Sequence, residues 1–302
     1  MRDASLAETV ISWYDEHARD LPWRRPEVSP WGVLVSEFML QQTQVSRVEP
    51  VWHAWMARWP TAAALAESPS GEAIRAWGRL GYPRRALRLH ECAVQIVARH
   101  GGAVPSDLAA LLALPGIGSY TGRAVAAFAY RQRHPVVDTN VRRVVARAAG
   151  GRPDAGSATT VADLHAVEAL LPAVPERAAR ASVAFMELGA LVCTARVPRC
   201  AACPLVAGCA WRLSGSPPAD GPAPQRRTQR YAGTDRQVRG LLLAVLRDAP
   251  GPVPGTRLDS VWPDADQRTR ALAGLLADRL VCQPVPQMYA LPGGPAERMQ
   301  PM

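Results

Sequence analysis

Apolar residues recur every three or four positions along residues 1 to 212, so this stretch reads as nearly continuous helix with no convincing strand pattern. Gly- and Pro-bearing breaks punctuate it at RPEVSPWG, GRLGYPRR, HGGAVPSD, LPGIGS and GGRPDAGS. The texture changes after Trp211. LSGSPPADGPAPQRRTQRYAGTDR is rich in Pro, Gly and Arg and nearly devoid of apolar residues, which predicts a linker over residues 213–235. DRQVRGLLLAVLRD and DADQRTRALAGLLADRL then predict amphipathic helices, and LVCQPVPQMYAL a short hairpin. Helices plus a hairpin suit a small winged-helix-like unit over 236–292, ahead of a tail at 293–302. A generic packing unit fits the same elements equally well. The fold class expected is all-α.

Composition adds limits. A chain of 302 residues can bury a sizeable core in two or three compact units. No run of about eighteen apolar residues occurs, and the N-terminal segment lacks the apolar stretch of a secretory signal. A cytoplasmic protein with no membrane partner is expected, and there structural disulfides are uncommon. The net charge of +9 suggests a polyanionic partner, nucleic acid above all. All 35 positive side chains are arginine. No lysine is available to form a Schiff base.

Cys193, Cys200, Cys203 and Cys209 fall in one segment, CTARVPRCAACPLVAGC, with gaps of six, two and five residues. Disulfides are disfavoured by compartment and crowding. Structural zinc usually uses two short pairs, and only Cys200 and Cys203 make one. An iron–sulfur cube accepts four thiolates from one wrapping loop, so the chemistry leans toward iron–sulfur while zinc stays open. Cys92 and Cys282 read as packing residues.

VPSDLAALLALPGIGSYTGRAVAAFAY reads as helix, tight turn, helix, with Ser106 or Asp107 as the first cap. Pro115, Gly116 and Gly118 force a turn with bare backbone amides at the start of the next helix, a place where a phosphate can sit or simply an ordinary connection. Asp138, twenty residues beyond Gly118, stands at an N-cap position before VRRVVAR. Glu37 lies in WGVLVSEFMLQQTQV, expected as one helix, with Val33, Leu34 and Leu40 at helical spacing. A carboxyl on an apolar face holds its proton to higher pH.

The cysteine spacing after a helix, the hairpin followed by VDTNV, and the stretches LPWR, SEFMLQQTQV and GRLGYPRRA together resemble the A/G-specific adenine glycosylases (the MutY family), within the helix–hairpin–helix, endonuclease III-like superfamily. The resemblance covers residues 1 to about 212. It implies a two-lobed fold, with a cluster lobe of residues 1–20 and 135–212 and a six-helix lobe of residues 21–134 bearing the hairpin. It implies a [4Fe-4S] cluster on the four cysteines, and Arg196 and Arg199 between them placed to meet DNA phosphates. Gly116 and Gly118 would grip the DNA backbone, with a monovalent cation held by hairpin carbonyls.

The implied chemistry is residue-specific. Glu37 is the acid that protonates adenine N7, and Asp138 stabilises the cation left on the sugar, positioned by Asn140. Trp23, Arg24 and Leu40 line the adenine pocket; Gln42 and Tyr82 wedge into the stack as the nucleotide is extruded. Tyr120 occupies the hairpin place where bifunctional relatives carry a lysine, which implies a monofunctional enzyme. The expected substrate is double-stranded DNA with adenine opposite 8-oxoguanine or guanine, acted on by a monomer in the cytoplasm of a bacterial-type cell, at the nucleoid.

Three departures stand out. The tail is too short and too helical for the Nudix-like domain that usually reads the opposite lesion. Arg142 stands where lysine is common, and Val183 where a Gln or Glu often contacts adenine, which predicts that this contact is missing. A thymine–guanine mismatch glycosylase and a non-catalytic DNA-binding module are the alternatives. Thymine has no N7 to protonate, and the intact pair of Glu37 and Asp138 weighs against the second.

Overall fold

The computed structural model describes residues 2–156, 158–218 and 231–293. Up to residue 213 they hold α1 (Arg2–His17), α2 (Pro30–Leu40), α3 (Val45–Arg58), α4 (Ala62–Glu67), α5 (Ser70–Trp77), α6 (Arg84–His100), α7 (Leu108–Leu112), α8 (Ser119–Tyr130), α9 (Thr139–Ala148), α10 (Val161–Leu170), α11 (Pro175–Leu191) and α12 (Ala210–Leu213). No strand occurs among the described residues of this stretch, as the helical periodicity predicts. No described helix is long and apolar enough to cross a membrane.

The chain divides into two compact units. One draws on residues 1–37, 105–113 and 117–225, the other on 38–104, 114–116 and 226–302. In the first, α1, α9, α10 and α11 surround a core that includes Val10, Ile11, Val141, Phe185 and Leu188. Burying one such side chain stabilises by ~1.5–3 kcal/mol. Local chemistry starts each helix. Asp138 caps α9, Thr160 and Asp163 form a capping box on α10, and Pro175 opens α11. Asp107, rather than Ser106, caps α7 by accepting from the Ala110 amide at 2.8 Å. α7 lies on α8 at Gly122, where a Cβ would stand 3.0 Å from Leu112 Cδ2.

In the second unit α4 and α5 pack on α6, and Trp55 meets Trp59 and Trp77 edge-on at 4.7 and 5.8 Å. The tail belongs here. α13 (Asp235–Asp248), β1 (Val253–Pro254), α14 (Gly255–Asp259), α15 (Ala265–Ala277), β2 (Cys282–Val285) and β3 (Met288–Ala290) follow in order, and the antiparallel sheet runs β1-β3-β2. The expected helices and hairpin are present, and β1 adds a third strand to the hairpin. The tail docks on α5 through one side chain and the backbone: Arg247 Nε donates to the Ile74 carbonyl at 3.1 Å, and the Gly71 amide to the Pro292 carbonyl at 2.8 Å. Most of the expected linker (219–230) and the tail from 294 onward lie outside the described residues.

One expected helix is two. α2 stops at Leu40 and α3 starts at Val45, so WGVLVSEFMLQQTQV is not continuous. Gln42 turns to a left-handed φ of +54°, and Arg85 takes the carbonyls of Phe38, Met39 and Gln41 that a longer helix would have used internally.

Candidate active site and cysteine loop

Glu37 sits near the C-terminal end of α2, and residues 31–39 of that helix are all buried. Its apolar surroundings therefore extend beyond the face that helical spacing predicts. Burial, opposed by the Tyr120 hydroxyl and the Arg24 guanidinium and aided by the neighbouring charge of Asp138, raises the Glu37 carboxyl to about 7. Tyr120, on the first turn of α8, hydrogen-bonds Glu37. Burial and the charges of both Glu37 and Asp138 hold its phenol well above the ordinary range.

Asp138 serves two purposes. Its Oδ1 accepts the Val141 amide at 2.7 Å as the α9 cap, and its Oδ2 accepts Asn140 Nδ2 at 2.9 Å. Burial raises its pKa, while these donors and Arg143 favour the anion. Two carboxyls that feel one another suit a state in which one holds a proton and the other is charged. Asn140 is held in turn: its Oδ1 accepts Arg143 Nη2 at 2.7 Å, and its Cβ faces Gly189, where any side chain would come within 2.7 Å.

Arg24 closes the same side of the unit. The turn Pro22–Arg24 buries Trp23 and aims Arg24 Nη2 at Glu187 Oε2, 2.8 Å away. Arg24 Nη1 is buried and has no hydrogen-bond partner within the protein. Glu187 also accepts from Arg19 through Nε at 2.7 Å and through the backbone amide at 3.1 Å. Burial alone would raise it, yet these two arginines bring its carboxyl down to about 2. Sequence reasoning missed Glu187. An acid inside the apolar run SVAFMELGAL is the same signal that singled out Glu37. Val183, the position read as a lost contact, packs against the core, and Glu187 lies one turn further along α11. Arg142 is likewise structural, buried against Asp163 at 3.0 Å and donating to the carbonyls of Ala155 and Ala158.

In the other unit Leu40 is partly buried, while Gln42 and Tyr82 are exposed with φ of +54° and +47°. Gly116 has a φ of +79°, and a Cβ there would meet Arg88 and the Phe38 ring at 2.9 Å. Gly118, the residue before α8 in the first unit, has open space where its Cβ would be.

The four loop cysteines form no disulfide and line one cavity together with Arg147, Arg199 and Trp211. Among the described residues no group of three or more His, Cys, Asp or Glu is arranged to chelate a single ion. The donor set nevertheless fits a cluster. Burial, then the proximity of Cys193, Cys209 and Cys200, raises the Cys203 thiol to about 11, the mutual repulsion that a polynuclear cation relieves. Arg147 ties the loop to α9, donating to the Thr194 carbonyl at 2.8 Å and lying 4.8 Å from the Trp211 ring. Arg196 and Arg199 are exposed on the loop. The other two cysteines pack: Cys92 is fully buried, its thiol raised to about 12 by burial, and Cys282 donates to the Ala290 carbonyl at 3.6 Å.

Residues 35–167 match the model of the HhH-GPD superfamily base excision DNA repair proteins. The chain is 59% identical over 285 residues to the adenine DNA glycosylase of Mycobacterium tuberculosis, covering 94% of this chain and 92% of that one. It is 59% identical over 286 residues to the adenine DNA glycosylase of Mycolicibacterium smegmatis, covering 94% of this chain and 95% of its counterpart. Matches of this length take in the tail unit as well as the helical part. Among solved structures, a thermostable thymine-DNA glycosylase aligns with a TM-score of 0.63 at 24% identity, over 70% of this chain and 98% of its own. Such identity speaks for the fold alone. The chain belongs to the adenine DNA glycosylase family.

Proposed function

We propose that this protein is a monofunctional base-excision glycosylase that hydrolyses the N-glycosidic bond of adenine opposite 8-oxoguanine or guanine in double-stranded DNA. One observation carries the reading: a buried glutamic acid that titrates near neutrality, beside a second carboxylate. Adenine leaves poorly as an anion. Glu37 gives its proton to N7, so the electrons of the breaking C1′–N9 bond end on a neutral base. Positive charge develops on the sugar, and the Asp138 carboxylate stabilises it or adds to it transiently before water attacks C1′. Asn140 keeps Asp138 oriented. The unused Arg24 Nη1 is a donor for a ring nitrogen of the extruded adenine, with Trp23 and Leu40 as its apolar surroundings.

Tyr120 cannot form an imine, and with no lysine in the chain the product is an intact abasic site. Gln42 and Tyr82 enter the stack, Gly116 and Gly118 hold the backbone with a monovalent cation at the hairpin carbonyls, and Arg196 and Arg199 meet phosphates. A [4Fe-4S] cluster on Cys193, Cys200, Cys203 and Cys209 would fix the shape of that basic loop. The protein acts as a monomer in the cytoplasm.

The test is direct. The protein is incubated with duplexes bearing A opposite 8-oxoguanine, A opposite guanine, or T opposite guanine, and alkali then cleaves abasic sites. Cleavage in the first two and none in the third supports the reading. Cleavage confined to T opposite guanine selects the mismatch alternative, and none at all selects a binding module. A borohydride-trapped covalent adduct would contradict the monofunctional assignment. Brown colour with visible thiolate-to-iron absorbance separates iron from zinc.

A further inference from the structure

Gln42 and Tyr82 hold left-handed backbone without glycine's freedom, as Arg279 and Gln287 do elsewhere in the same unit. Such backbone persists only where the surroundings over-determine it. One side chain touches both segments. Arg85 Nη1 donates to the carbonyls of Phe38, Met39 and Gln41 at 3.0, 3.2 and 2.5 Å. Its Nη2 donates to Thr43 Oγ1 at 3.0 Å and to the Gly81 carbonyl at 3.2 Å. The guanidinium also lies 5.3 Å from the Trp77 ring and 5.4 Å from the Tyr82 ring. The bonds bracket Gln42 through its neighbours on both sides, and they bracket Tyr82 through Gly81 and the stacked ring.

The arrangement is costly for stability alone. No carboxylate pairs with Arg85 among the described residues, its Nε is buried without a partner, and burial lowers its pKa to about 10. A buried cation answered only by carbonyls, a hydroxyl and rings is poorly compensated. Those acceptors end α2 before residue 41 and leave Gln42 exposed and Tyr82 54% exposed. We propose that Arg85 is a positioning residue that sets Gln42 and Tyr82 in advance as a rigid pair for entry into the DNA stack. The proposal rests on the reading of those two residues as the ones that enter. Preorganisation matters because a floppy wedge would have to be ordered at the moment the duplex opens.

The experiment uses the full chain, a duplex with 2-aminopurine beside the base opposite adenine, and single-turnover adenine release. Arg85→Lys keeps the charge and stem but cannot bridge five acceptors. Thr43→Val removes one acceptor and leaves the guanidinium in place, so the idea remains testable should the lysine variant fail to fold. Melting curves establish that each variant is folded. The expected result is a fluorescence rise at saturating protein at least tenfold smaller for Arg85→Lys and reduced severalfold for Thr43→Val. Neither change should matter in a Gln42→Ala/Tyr82→Ala background, where nothing is left to position. An undiminished rise in the folded variants, or an equal further loss in the double-alanine background, overturns the role of Arg85. An undiminished rise in the double-alanine protein itself overturns the wedge reading, and with it the positioning role. Adenine retention by the wild-type protein despite a full fluorescence rise counts against the proposed function only.

Discussion

Arg143 Nη2 donates to the side-chain oxygen of Asn140 at 2.7 Å, while Arg143 Nε donates to the carbonyl of Cys193 at 2.6 Å. Asn140 in turn donates to Asp138, so one guanidinium joins the carboxylate proposed to meet the sugar with the start of the cysteine loop. Displacement of a catalytic group by about 1 Å can cost ~10²-fold in rate. Arg143→Ala is expected to slow single-turnover adenine release by about that factor, and Arg143→Lys should not restore it because an ammonium cannot make the forked set of bonds. Rates from quenched reactions at saturating enzyme check this, and a wild-type rate in Arg143→Ala refutes it.

Gly189 supports the same residue from the other side. A Cβ there would stand 2.7 Å from Asn140 Cβ and 2.8 Å from its carbonyl oxygen. Alanine within α11 gains up to about 1 kcal/mol of helix propensity, which partly offsets an overpacking cost of ~1–3 kcal/mol. Gly189→Ala is therefore expected to melt only a few degrees lower and yet lose most of its activity, since the helix has to move away from Asn140. Full activity in the alanine variant would show that the close approach carries no catalytic weight.

The Glu37 carboxyl ties activity to stability through pH. Its folded value of about 7 exceeds the ordinary 4.5. Between those values the folded chain binds more protons than the unfolded one, so stability from this group is complete below pH 4.5 and lost as pH rises through 7. The shift corresponds to an upper bound on the order of 3 kcal/mol. Glu37→Gln is expected to abolish adenine release while raising the melting temperature at pH 8 more than at pH 5. Denaturant titrations of both proteins at the two pH values decide it. The wild-type rate should also decline above about pH 7 as the acid loses its proton.

Much of this was legible before the structure because it rests on spacing. The helical period, the cysteine gaps, Gly116 in its turn and Asp138 as a cap each follow from a few neighbouring residues. The wrong or absent readings involve partners far apart in sequence. Glu187 meets Arg19 and Arg24 across more than 160 positions, so nothing local revealed which arginines hold it. The break after Leu40 was hidden for the same reason: QQTQ is compatible with helix, and only Arg85, over forty residues away, withdraws the carbonyls. The tail's helices and hairpin were readable from amphipathicity, whereas its seat on α5 is accepted by the backbone carbonyl of Ile74 and made by the backbone of Gly71 and Pro292, partners that Arg247 does not announce in the sequence.

Glu187 gives the opposite pH signature to Glu37. Held at about 2 by Arg19 and Arg24, it binds fewer protons in the folded chain than in the unfolded one between pH 2 and 4.5. Its contribution is full above 4.5 and drains away as the solution is acidified through that window. Arg24 is the partner that matters, because it is only 18% exposed while Arg19 is 36% exposed and more strongly screened. Glu187→Gln strands the buried Arg24 guanidinium, and breaking a buried pair costs about 3–5 kcal/mol. The variant is expected to be less stable at pH 7 by most of that amount, with the gap closing toward pH 2.5. Urea unfolding of both proteins across this range is the measurement. A gap that stays constant with pH would mean that the charge of Glu187 contributes nothing and only its shape is needed.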